Sequence, residues 1–240
     1  MMQDNRYQAI FQRSSLLLGA EGQARLAKAH VTICGLGGVG SYVAEMVVRA
    51  GVGHIRLVDF DRVTTSNINR QLFALHSTLG QLKADVAVAR LADINPFCRC
   101  EVCRQRIDAE NAVEFLVHTD YLADAIDDIP AKTALLRAAV VNKVPVISAM
   151  GAGRRIDPSL LAIADISATS VCPLARIIRR ELRRYGIEHG LRVVYSKEKP
   201  LPQAMISGEV QPLGSVSFVP SAMGALMASV IIRELAGFEI

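Results

Sequence analysis

The stretch that decides the fold is HVTIC, residues 30–34, followed directly by GLGGVG, residues 35–40. The first five residues are mostly apolar and β-branched, which predicts a buried strand. The next six contain four glycines, so the chain can turn tightly and bring backbone amides close to an anionic ligand. Residues 39–50 carry apolar side chains at helical spacing, and the N-terminus of that helix would point at the same ligand. The stretch therefore predicts a phosphate-binding loop built on Gly35, Gly37, Gly38 and Gly40.

An acidic residue follows this loop at the distance typical of nucleotide-binding βαβ units. Residues 55–58 read IRLV, a second apolar run, and the run ends in Asp59. An acid about 20 residues after such a loop is placed to accept hydrogen bonds from ribose hydroxyls. A glycine pattern alone is weak evidence, but strand, loop, helix, strand and acid together predict a bound nucleotide.

The polar residues after Asp59 favour ATP over a dinucleotide. ATP carries about four negative charges, and a helix dipole of about half a charge cannot offset them. Arg70 could bind the phosphates with its planar guanidinium, Lys83 could act as a point charge, and Asn67 adds a neutral oxygen. Ordinary explanations stay open for each residue. Arg70 and Lys83 could be solvated surface charges, while Asp61 and Asn67 could cap turns.

A carboxylate that could hold a metal ion follows another apolar run. Residues 121–126 read YLADAI, and Asp127 comes directly after them. Because the carboxyl ends of the strands face the ligand crevice of a doubly wound sheet, Asp127 would lie near the ATP phosphates. Mg²⁺ takes one or two carboxylates with phosphate oxygens and water, and a monovalent cation in its place stays open. Alternatively, Asp127 and Asp128 cap a helix that starts near Pro130.

Several short motifs occur in a fixed order along the first 150 residues. They are the glycine loop, Asp59-x-Asp61, Asn67-x-Asn69-Arg70-Gln71, Lys83 and Asp124-x-x-Asp127. This order resembles the adenylation domain of E1-like enzymes. That family includes the ubiquitin-activating enzymes and the bacterial enzymes that adenylate sulfur-carrier proteins. The resemblance implies that a substrate carboxylate attacks the α-phosphate of ATP, giving an acyl-adenylate and pyrophosphate.

The resemblance also implies roles for individual residues. ATP binding falls to the four loop glycines, Asp59, Asp61, Asn67 and Gln71. Catalysis falls to Arg70, Lys83 and Asp127, with Asp127 as the metal ligand. Arg13, in FQRSSL at residues 11–16, resembles the family's arginine that reaches the phosphates of the partner subunit. A homodimer with shared sites is therefore expected.

The cysteines separate branches of this family. Sulfur-carrier adenylating enzymes commonly have two Cys-x-x-Cys pairs that hold a structural zinc. The five cysteines are Cys34, Cys98, Cys100, Cys103 and Cys172, and only Cys100 with Cys103 has that spacing. The alternation over residues 98–103 suits a strand, which would place Cys100 and Cys103 on opposite faces. We therefore expect no zinc site.

The second half of the chain resembles the tRNA threonylcarbamoyladenosine dehydratase subfamily. The resemblance rests on GAG at residues 151–153, DIS at 165–167, CPLAR at 172–176, VVYSKE at 193–198 and GSVSFVP at 214–220. It implies activation of the threonine carboxylate on the modified adenosine next to the anticodon, followed by cyclisation with net loss of water. Alternatives are activation of a ubiquitin-like sulfur carrier, with or without a sulfur-transfer partner, and a non-catalytic nucleotide-binding regulator. The segment 200–214 carries few landmarks.

A run of arginines agrees with an RNA substrate. At helical spacing, Arg176, Arg179, Arg180 and Arg183 form a basic stripe, while Ile178 is among the residues left to face the core. Such a stripe could follow phosphates, and binding would then fall steeply with salt. A solvated helix face or dimer-interface charges would explain it equally well. We treat Arg176, Arg179 and Arg180 as candidate substrate residues.

Cys172 is a further candidate whose role stays open. In protein-activating relatives a cysteine takes the acyl group as a thioester, and a thiol at a helix N-terminus near arginines could ionise. Pro173 makes a helix start at Cys172 plausible. An intramolecular cyclisation, however, brings its own nucleophile and needs no enzyme thioester.

Composition fits one cytosolic enzyme. The chain has 240 residues, 51% of them hydrophobic, a formal net charge of +4 and a pI near 8.9, which permits an anionic partner. We expect a single unit, 1–240, with an ATP-binding half, 1–150, and a substrate-facing and dimerisation half, 151–240. The polar start argues against a cleavable signal, and the free cysteines favour a reducing, cytoplasmic compartment. The apolar run 218–232 is short for a membrane span and predicts a buried helix.

Alternating elements predict the fold class. Helical patterns cover residues 82–94, 109–116 and 131–142, and strand patterns cover 98–103, 121–126 and 145–149. Such alternation predicts an α/β fold with a doubly wound, mainly parallel sheet and helices on both faces.

Overall fold

The computed structural model describes residues 5–206 and 209–238. One sheet of seven strands organises the chain. Its strands are β1 (His30–Cys34), β2 (His54–Val58), β3 (Arg99–Cys103), β4 (Tyr121–Asp124), β5 (Val146–Ala149), β6 (Leu161–Asp165) and β7 (Arg192–Ser196). Two short strands, β8 (Met205–Ile206) and β9 (Glu209–Val210), form a separate antiparallel pair. The predicted strand 30–34 is confirmed at both ends.

The sheet is doubly wound. Its order is β3-β2-β1-β4-β5-β7-β6, and every neighbouring pair is parallel except β6 with β7. The direction of winding reverses between β1 and β4, where Val31 is in register with Tyr121. In such sheets the ligand crevice opens beyond the carboxyl ends of the strands at this switch point. The predicted fold class is confirmed.

Helices cover both faces of the sheet. They are α1 (Asn5–Leu26), α2 (Gly40–Arg49), α3 (Lys83–Ile94), α4 (Ile129–Val141), α5 (Pro173–Arg183) and α6 (Phe218–Ala236). Successive strand residues point to opposite faces, so Tyr121 and Ala123 pack with α2, α3 and α6, while Leu122 packs with α4. The buried side of α5 packs against α4 in one apolar cluster, which includes Leu136 of α4 and Ile178 of α5.

The predicted helix over residues 109–116 is wrong. The chain there forms turns and a 3₁₀ helix, Glu114–Leu116. The Asp108 carboxylate accepts hydrogen bonds from the amides of Glu110 and Asn111 at 2.9 and 3.0 Å, and Asn111 Oδ1 accepts from the Asp108 amide at 2.9 Å. Short polar side chains thus satisfy the backbone groups that an α-helix would have used.

The apolar segment near the C-terminus forms α6, the helix within residues 5–206 and 209–238 that is long and apolar enough to cross a membrane. Met223, Met227, Val230 and Ile231 are fully buried against the sheet and α2. A Cβ at Gly224 would lie 2.7 Å from the carbonyl oxygen of Val39, so only glycine permits this close approach to the start of α2. This packing is that of a core helix.

Candidate active site

The glycine loop is shaped by close backbone packing between β1, β2 and β4. Gly35 has φ of +88°, and a Cβ there would lie 2.7 Å from the Ala125 carbonyl oxygen. A Cβ at Gly40 would lie 1.8 Å from the carbonyl oxygen of Gly35. Only glycine therefore fits at position 40, where the loop packs against its own first residue. Gly35, Gly37 and Gly38 line a cleft of about 690 Å³. The cleft lies at the N-terminus of α2, where an anion is favoured.

Asp59 joins this loop to the end of β2. Its Oδ2 accepts a hydrogen bond from the Leu36 amide at 2.7 Å, and its Oδ1 accepts one from the Asp61 amide at 2.8 Å. Burial raises the pKa of Asp59, and the Lys83 charge and these two amides oppose that rise. Each carboxylate oxygen keeps a lone pair, so Asp59 can still accept from ribose hydroxyls as predicted.

Lys83 begins α3 and is buried in the cleft wall. Its Nζ lies 2.8 Å from Asp61 Oδ2, and its backbone amide donates to the Asp61 carbonyl oxygen at 2.9 Å. The Lys83 side chain is 8% exposed and the Asp61 side chain is 53% exposed. Lys83 is therefore not an ordinary solvated charge. Asp61 holds its ammonium group in the cleft wall, and its contact with a phosphate stays a prediction.

The side chains of the motif at residues 67–71 have two different locations, the cleft wall and the turn behind it. Arg70 and Gln71 line the cleft. Arg70 is held by Nη1, which donates to the Ser66 carbonyl oxygen at 2.8 Å and to Asn69 Oδ1 at 2.9 Å. Asn67 is buried, and its Oδ1 accepts from the Thr64 amide at 3.1 Å. Asn67 thus caps the turn that presents Arg70, and its contact with a nucleotide stays a prediction.

The two neighbouring aspartates after β4 have different environments. Asp128 caps α4, because its Oδ1 accepts from the Ala131 amide at 2.9 Å, and its Oδ2 accepts from Arg106 Nη2 at 3.1 Å. Asp127 is exposed on the cleft wall. In the part of the chain that the structure describes, its carboxylate has no protein hydrogen bond or ion pair. The capping alternative therefore holds for Asp128, and Asp127 is available to a metal ion.

A buried ion pair that the sequence analysis missed supports this loop. Lys132 Nζ lies 2.6 Å from Asp124 Oδ2, and neither side chain is exposed. Ser148 Oγ donates to the same carboxylate oxygen at 2.5 Å. Lys132 also donates to the Ile126 carbonyl oxygen at 3.0 Å, while Asp124 Oδ1 accepts from the Ile126 amide at 3.1 Å. Both partners thus fix the backbone just before Asp127.

Three further arginines line the cleft and were also missed: Arg106, Arg154 and Arg155. Arg106 is held by Asp128. Arg155 is buried, and its Nη1 donates to the Gly153 carbonyl oxygen at 2.8 Å. Together with Arg70 and Lys83 they give the cleft five cations beside the carboxylates of Asp59, Asp61, Asp127 and Asp128, so cationic groups are in place for an anionic ligand.

The predicted arginine stripe on α5 is not one exposed face. Arg179 turns inward, and its Nη1 donates to the carbonyl oxygens of Thr169 and Ile166 at 2.9 and 3.3 Å and to the Thr169 hydroxyl. Arg176 and Arg180 are exposed, and Arg180 pairs with the neighbouring Glu181. The stripe prediction is therefore wrong for Arg179, which braces residues 166–169. The exposed arginines lie outside the cleft wall.

Cys172 and Arg13 both lie away from the cleft surface of their own chain. Cys172 is the N-cap residue of α5, is 3% exposed and packs with Met150 and Ile178. The next residues, Pro173 and Leu174, do line the cleft. Arg13 is exposed on α1 and does not line it. Neither residue's predicted role is tested by this geometry.

At the switch point of the doubly wound sheet lie a glycine loop, basic residues suited to phosphates and a free carboxylate. Together they define the class of protein, which is a nucleotide-binding α/β protein with the site of a carboxylate-adenylating enzyme. Comparison with known proteins agrees with this class. The chain belongs to the ThiF family, whose model matches residues 11–240.

Relatives that match most of both lengths include tRNA threonylcarbamoyladenosine dehydratases. The chain is 40% identical over 238 residues to tRNA threonylcarbamoyladenosine dehydratase of Bacillus subtilis (strain 168), covering 94% of each protein. It superposes on the structure of E. coli tRNA N6-threonylcarbamoyladenosine dehydratase, TcdA, in complex with AMP with a TM-score of 0.91. That pair is 32% identical over 98% of this chain and 96% of the other. The same protein in complex with ATP gives a TM-score of 0.90.

Sulfur-carrier enzymes match less of their own length or at lower identity. The sulfur carrier protein adenylyltransferase of Thermus thermophilus is 40% identical over 130 residues, which cover 54% of this chain and 48% of that protein. A second enzyme of this kind, the adenylyltransferase and sulfurtransferase MOCS3 of Drosophila yakuba, is 29% identical over 218 residues, which cover 90% of this chain but 43% of that protein.

Proposed function

We infer that this protein is an ATP-dependent tRNA threonylcarbamoyladenosine dehydratase. One observation carries this conclusion: the chain matches a dehydratase at 40% identity over 94% of both proteins. The sulfur-carrier alternative rests on weaker matches, at 40% identity over 54% of this chain in one relative and 29% identity over 90% of it in another. Against the non-catalytic alternative stands the presence of Arg70, Lys83 and Asp127 together in one cleft.

The cleft suits the first chemical step. An oxygen of the threonine carboxylate attacks the α-phosphorus of ATP, and the bond from that phosphorus to the β-phosphate oxygen breaks. Pyrophosphate leaves and an acyl-adenylate forms. The amides of the glycine loop and the α2 N-terminus favour the phosphates. Arg70 and Lys83 oppose the charge that builds up in the transition state, and because the protein already holds both, little reorganisation is needed.

The second step needs no water and no enzyme thioester. The carbamoyl group of the same side chain attacks the activated carbonyl carbon and gives up one N–H proton to solvent, and AMP leaves with the oxygen that the carboxylate lost. The nucleoside thus loses the elements of one water. Because both groups belong to one side chain, their effective concentration is high. The buried Cys172 behind the cleft wall is consistent with this route, which does not use its thiol.

Asp127 is the residue that would hold Mg²⁺. Magnesium usually keeps several waters and binds one or two carboxylates with substrate phosphates, so one exposed carboxylate beside the phosphate loop suits it. Residues 5–206 and 209–238 contain no cluster of three His, Cys, Asp or Glu side chains that would hold a metal by themselves. A bound metal would lower the repulsion between the phosphates and the attacking carboxylate. A monovalent cation at Asp127 is the alternative, and ATP titrations with and without Mg²⁺ distinguish the two.

The substrate partner is tRNA, and we further propose a homodimer. Arg13 is exposed on α1 and lies outside its own cleft, which supports a role in the cleft of a partner subunit. Residues from both the 1–150 half and the 151–240 half line the cleft, which supports an ATP side and a substrate side. A sulfur-transfer partner and a cytoplasmic location stay predictions.

The test is mass spectrometry of tRNA nucleosides after incubation with ATP. We expect threonylcarbamoyladenosine to lose the mass of one water, with AMP formed in equal amount. An unchanged nucleoside, together with pyrophosphate exchange that depends on a diglycine-ended carrier protein, would assign the chain to the sulfur-carrier branch instead.

A further inference from the structure

Arg155 is a buried cation without a counter-ion in the parts of the chain that the structure describes. The residue is 3% exposed. Only Nη1 has a partner, the Gly153 carbonyl oxygen at 2.8 Å, while Nε and Nη2 are buried without any hydrogen bond. The carboxylate of Glu198 does not pair with it, because that group accepts from the amides of Ile156 and Asp157.

Such a guanidinium is costly to keep. Arginine stays protonated inside proteins, so it cannot avoid the cost by losing its charge. A buried charge without a partner destabilises the folded state, whereas an arriving anion with two oxygens would satisfy Nε and Nη2 together. Arg155 lines the cleft, and although Nε and Nη2 are covered in this structure, a ligand that enters the cleft lies beside the side chain that carries them.

A second source of positive potential lies beside Arg155. A Cβ at Gly151 would lie 3.4 Å from Arg155 Nη1 and 3.6 Å from the Sγ atom of Cys172. The guanidinium and the start of α5 therefore meet at the same glycine. The helix begins with Pro173, and no side chain caps its N-terminus. Its dipole favours an anion at this end.

We propose that Arg155 and the N-terminus of α5 form a subsite for the threonine carboxylate of the modified adenosine, before that carboxylate is adenylated. The proposal rests on the function inferred above. The carboxylate must approach the ATP phosphates, which repel it, and Arg155 lowers this repulsion inside the same cleft. Once the acyl-adenylate forms, the carboxylate charge is gone and the attraction to Arg155 weakens.

Burial favours a carboxylate over a backbone phosphate of the tRNA. Both anions carry oxygens that a guanidinium can bind. A phosphate in a polynucleotide is flanked by ribose on both sides, so it is best met by exposed side chains such as Arg176 or Arg180. The threonylcarbamoyl group, in contrast, projects from a base on a chain of single bonds and can enter a narrow site. Arg155, at 3% exposure, suits the second geometry.

The experiment measures binding without turnover, in the presence of a non-hydrolysable ATP analogue. The probes are the nucleoside threonylcarbamoyladenosine, its methyl ester, and tRNA with or without the modification. The variants are Arg155→Gln, Arg155→Lys as the charge-preserving rescue, and Arg99→Gln as the control. Arg99 lies at the amino end of β3, on the sheet edge opposite the cleft. Thermal unfolding of each ligand-free variant and its affinity for the ATP analogue establish that the fold is intact.

We expect the wild-type protein to bind the free acid more tightly than the ester by about 10- to 100-fold, the range of one charge-assisted contact. Arg155→Gln removes this preference, Arg155→Lys restores part of it, and Arg99→Gln leaves it unchanged. The ligand-free Arg155→Gln protein should melt no lower than the wild type, because an unpaired buried charge has been removed.

Two results would overturn the proposal. If Arg155→Gln weakens binding of modified and unmodified tRNA by the same factor, the subsite binds a backbone phosphate instead. If the variant keeps the full preference for the acid over the ester, Arg155 does not touch the carboxylate. Failure of the inferred function is seen separately, because the wild-type protein would then leave the nucleoside mass unchanged.

Discussion

Lys132 Nζ and Asp124 Oδ2 lie 2.6 Å apart at the carboxyl end of β4, and both side chains are completely buried. The pair joins a strand of the sheet to α4 and fixes the Ile126 backbone on the way to Asp127. A buried pair of this kind contributes to specificity more than to net stability, because both charges have lost their hydration. In this protein the pair holds the loop that carries Asp127 in position.

Removal of one partner should therefore cost far more than removal of both. We expect Lys132→Met to lower the free energy of unfolding by about 3–5 kcal/mol, because the Asp124 charge stays buried alone. The double variant with Asp124→Asn should recover most of that loss. Urea unfolding of the three proteins measures the difference. Similar losses in the single and the double variant would show that the two charges do not act as a pair.

Asp127 and Asp128 form a natural matched pair for mutagenesis. Asp127→Ala should abolish adenylation and leave the melting temperature unchanged, because its carboxylate has no partner in the described part of the protein. Asp128→Ala should lower stability by about 1 kcal/mol through the lost cap of α4 and should keep most of the adenylation activity. ATP-dependent AMP formation and thermal unfolding measure the two effects. If Asp127→Ala retains full turnover, it does not bind the catalytic metal.

Arg70 should be essential for the chemical step. We expect Arg70→Ala to reduce adenylation by about 100-fold or more, because a positioned cation at the reacting phosphates is lost. Arg62→Ala is the control, since Arg62 is exposed and donates to the Gly80 carbonyl oxygen at 2.8 Å without lining the cleft. Single-turnover measurements separate this effect from ATP affinity. Equal rates in the two variants would remove Arg70 from the mechanism.

The central strands and the turn of the glycine loop were predictable because their signals are local. Residues 30–34 form a central strand with parallel neighbours on both sides, so they are mostly apolar, and the glycine loop follows at once. The failure at residues 109–116 has an equally local cause, the side-chain bonds of Asp108 and Asn111, which a pattern of apolar residues does not show. Element order therefore followed from periodicity, and the errors arose where side chains replace backbone partners.

The missed residues have no comparable signal along the chain. Lys132 lies on an apolar helix eight positions after Asp124, and only the fold brings the two charges together. Arg155 sits in a loop where any arginine would look like a solvated charge, and the surrounding sequence does not predict that it is buried. Arg179 matched an exposed stripe by spacing, yet its guanidinium reaches the carbonyl groups of residues 166 and 169. Such roles depend on contacts between distant segments.

Stability should fall at acidic pH through His54. Its ring stacks on His30 with centroids 4.0 Å apart, and burial, followed by the charges of His30 and Arg99, lowers the pKa of His54. Glu101 and Asp120 act in the opposite direction. Because the folded pKa lies below the unfolded value of about 6.5, the unfolded state binds the proton first. Stability is therefore complete above about pH 6.5 and decreases as the pH falls toward the folded pKa.

The melting temperature at pH 7.5 and pH 5 tests this effect. We expect His54→Gln to lose less stability between the two pH values than the wild type, because it has no ring to protonate. His76→Gln, at an exposed position outside this stack, serves as the control. An identical loss in all three proteins would assign the acid sensitivity to other groups.

Loss of an exposed arginine of α5 should change tRNA binding, whereas loss of an inward-turned one should change stability. Arg176→Ala should weaken tRNA binding and reduce the dependence of the logarithm of the affinity on the logarithm of the salt concentration by about one unit, if Arg176 neutralises one phosphate. Arg179→Ala should instead lower the melting temperature, because the carbonyl groups of Thr169 and Ile166 lose their donor. Binding isotherms over a salt series, with thermal unfolding of both variants, measure the contrast. A reduced salt dependence in Arg179→Ala, with unchanged stability, would show that its guanidinium reaches RNA rather than the protein backbone.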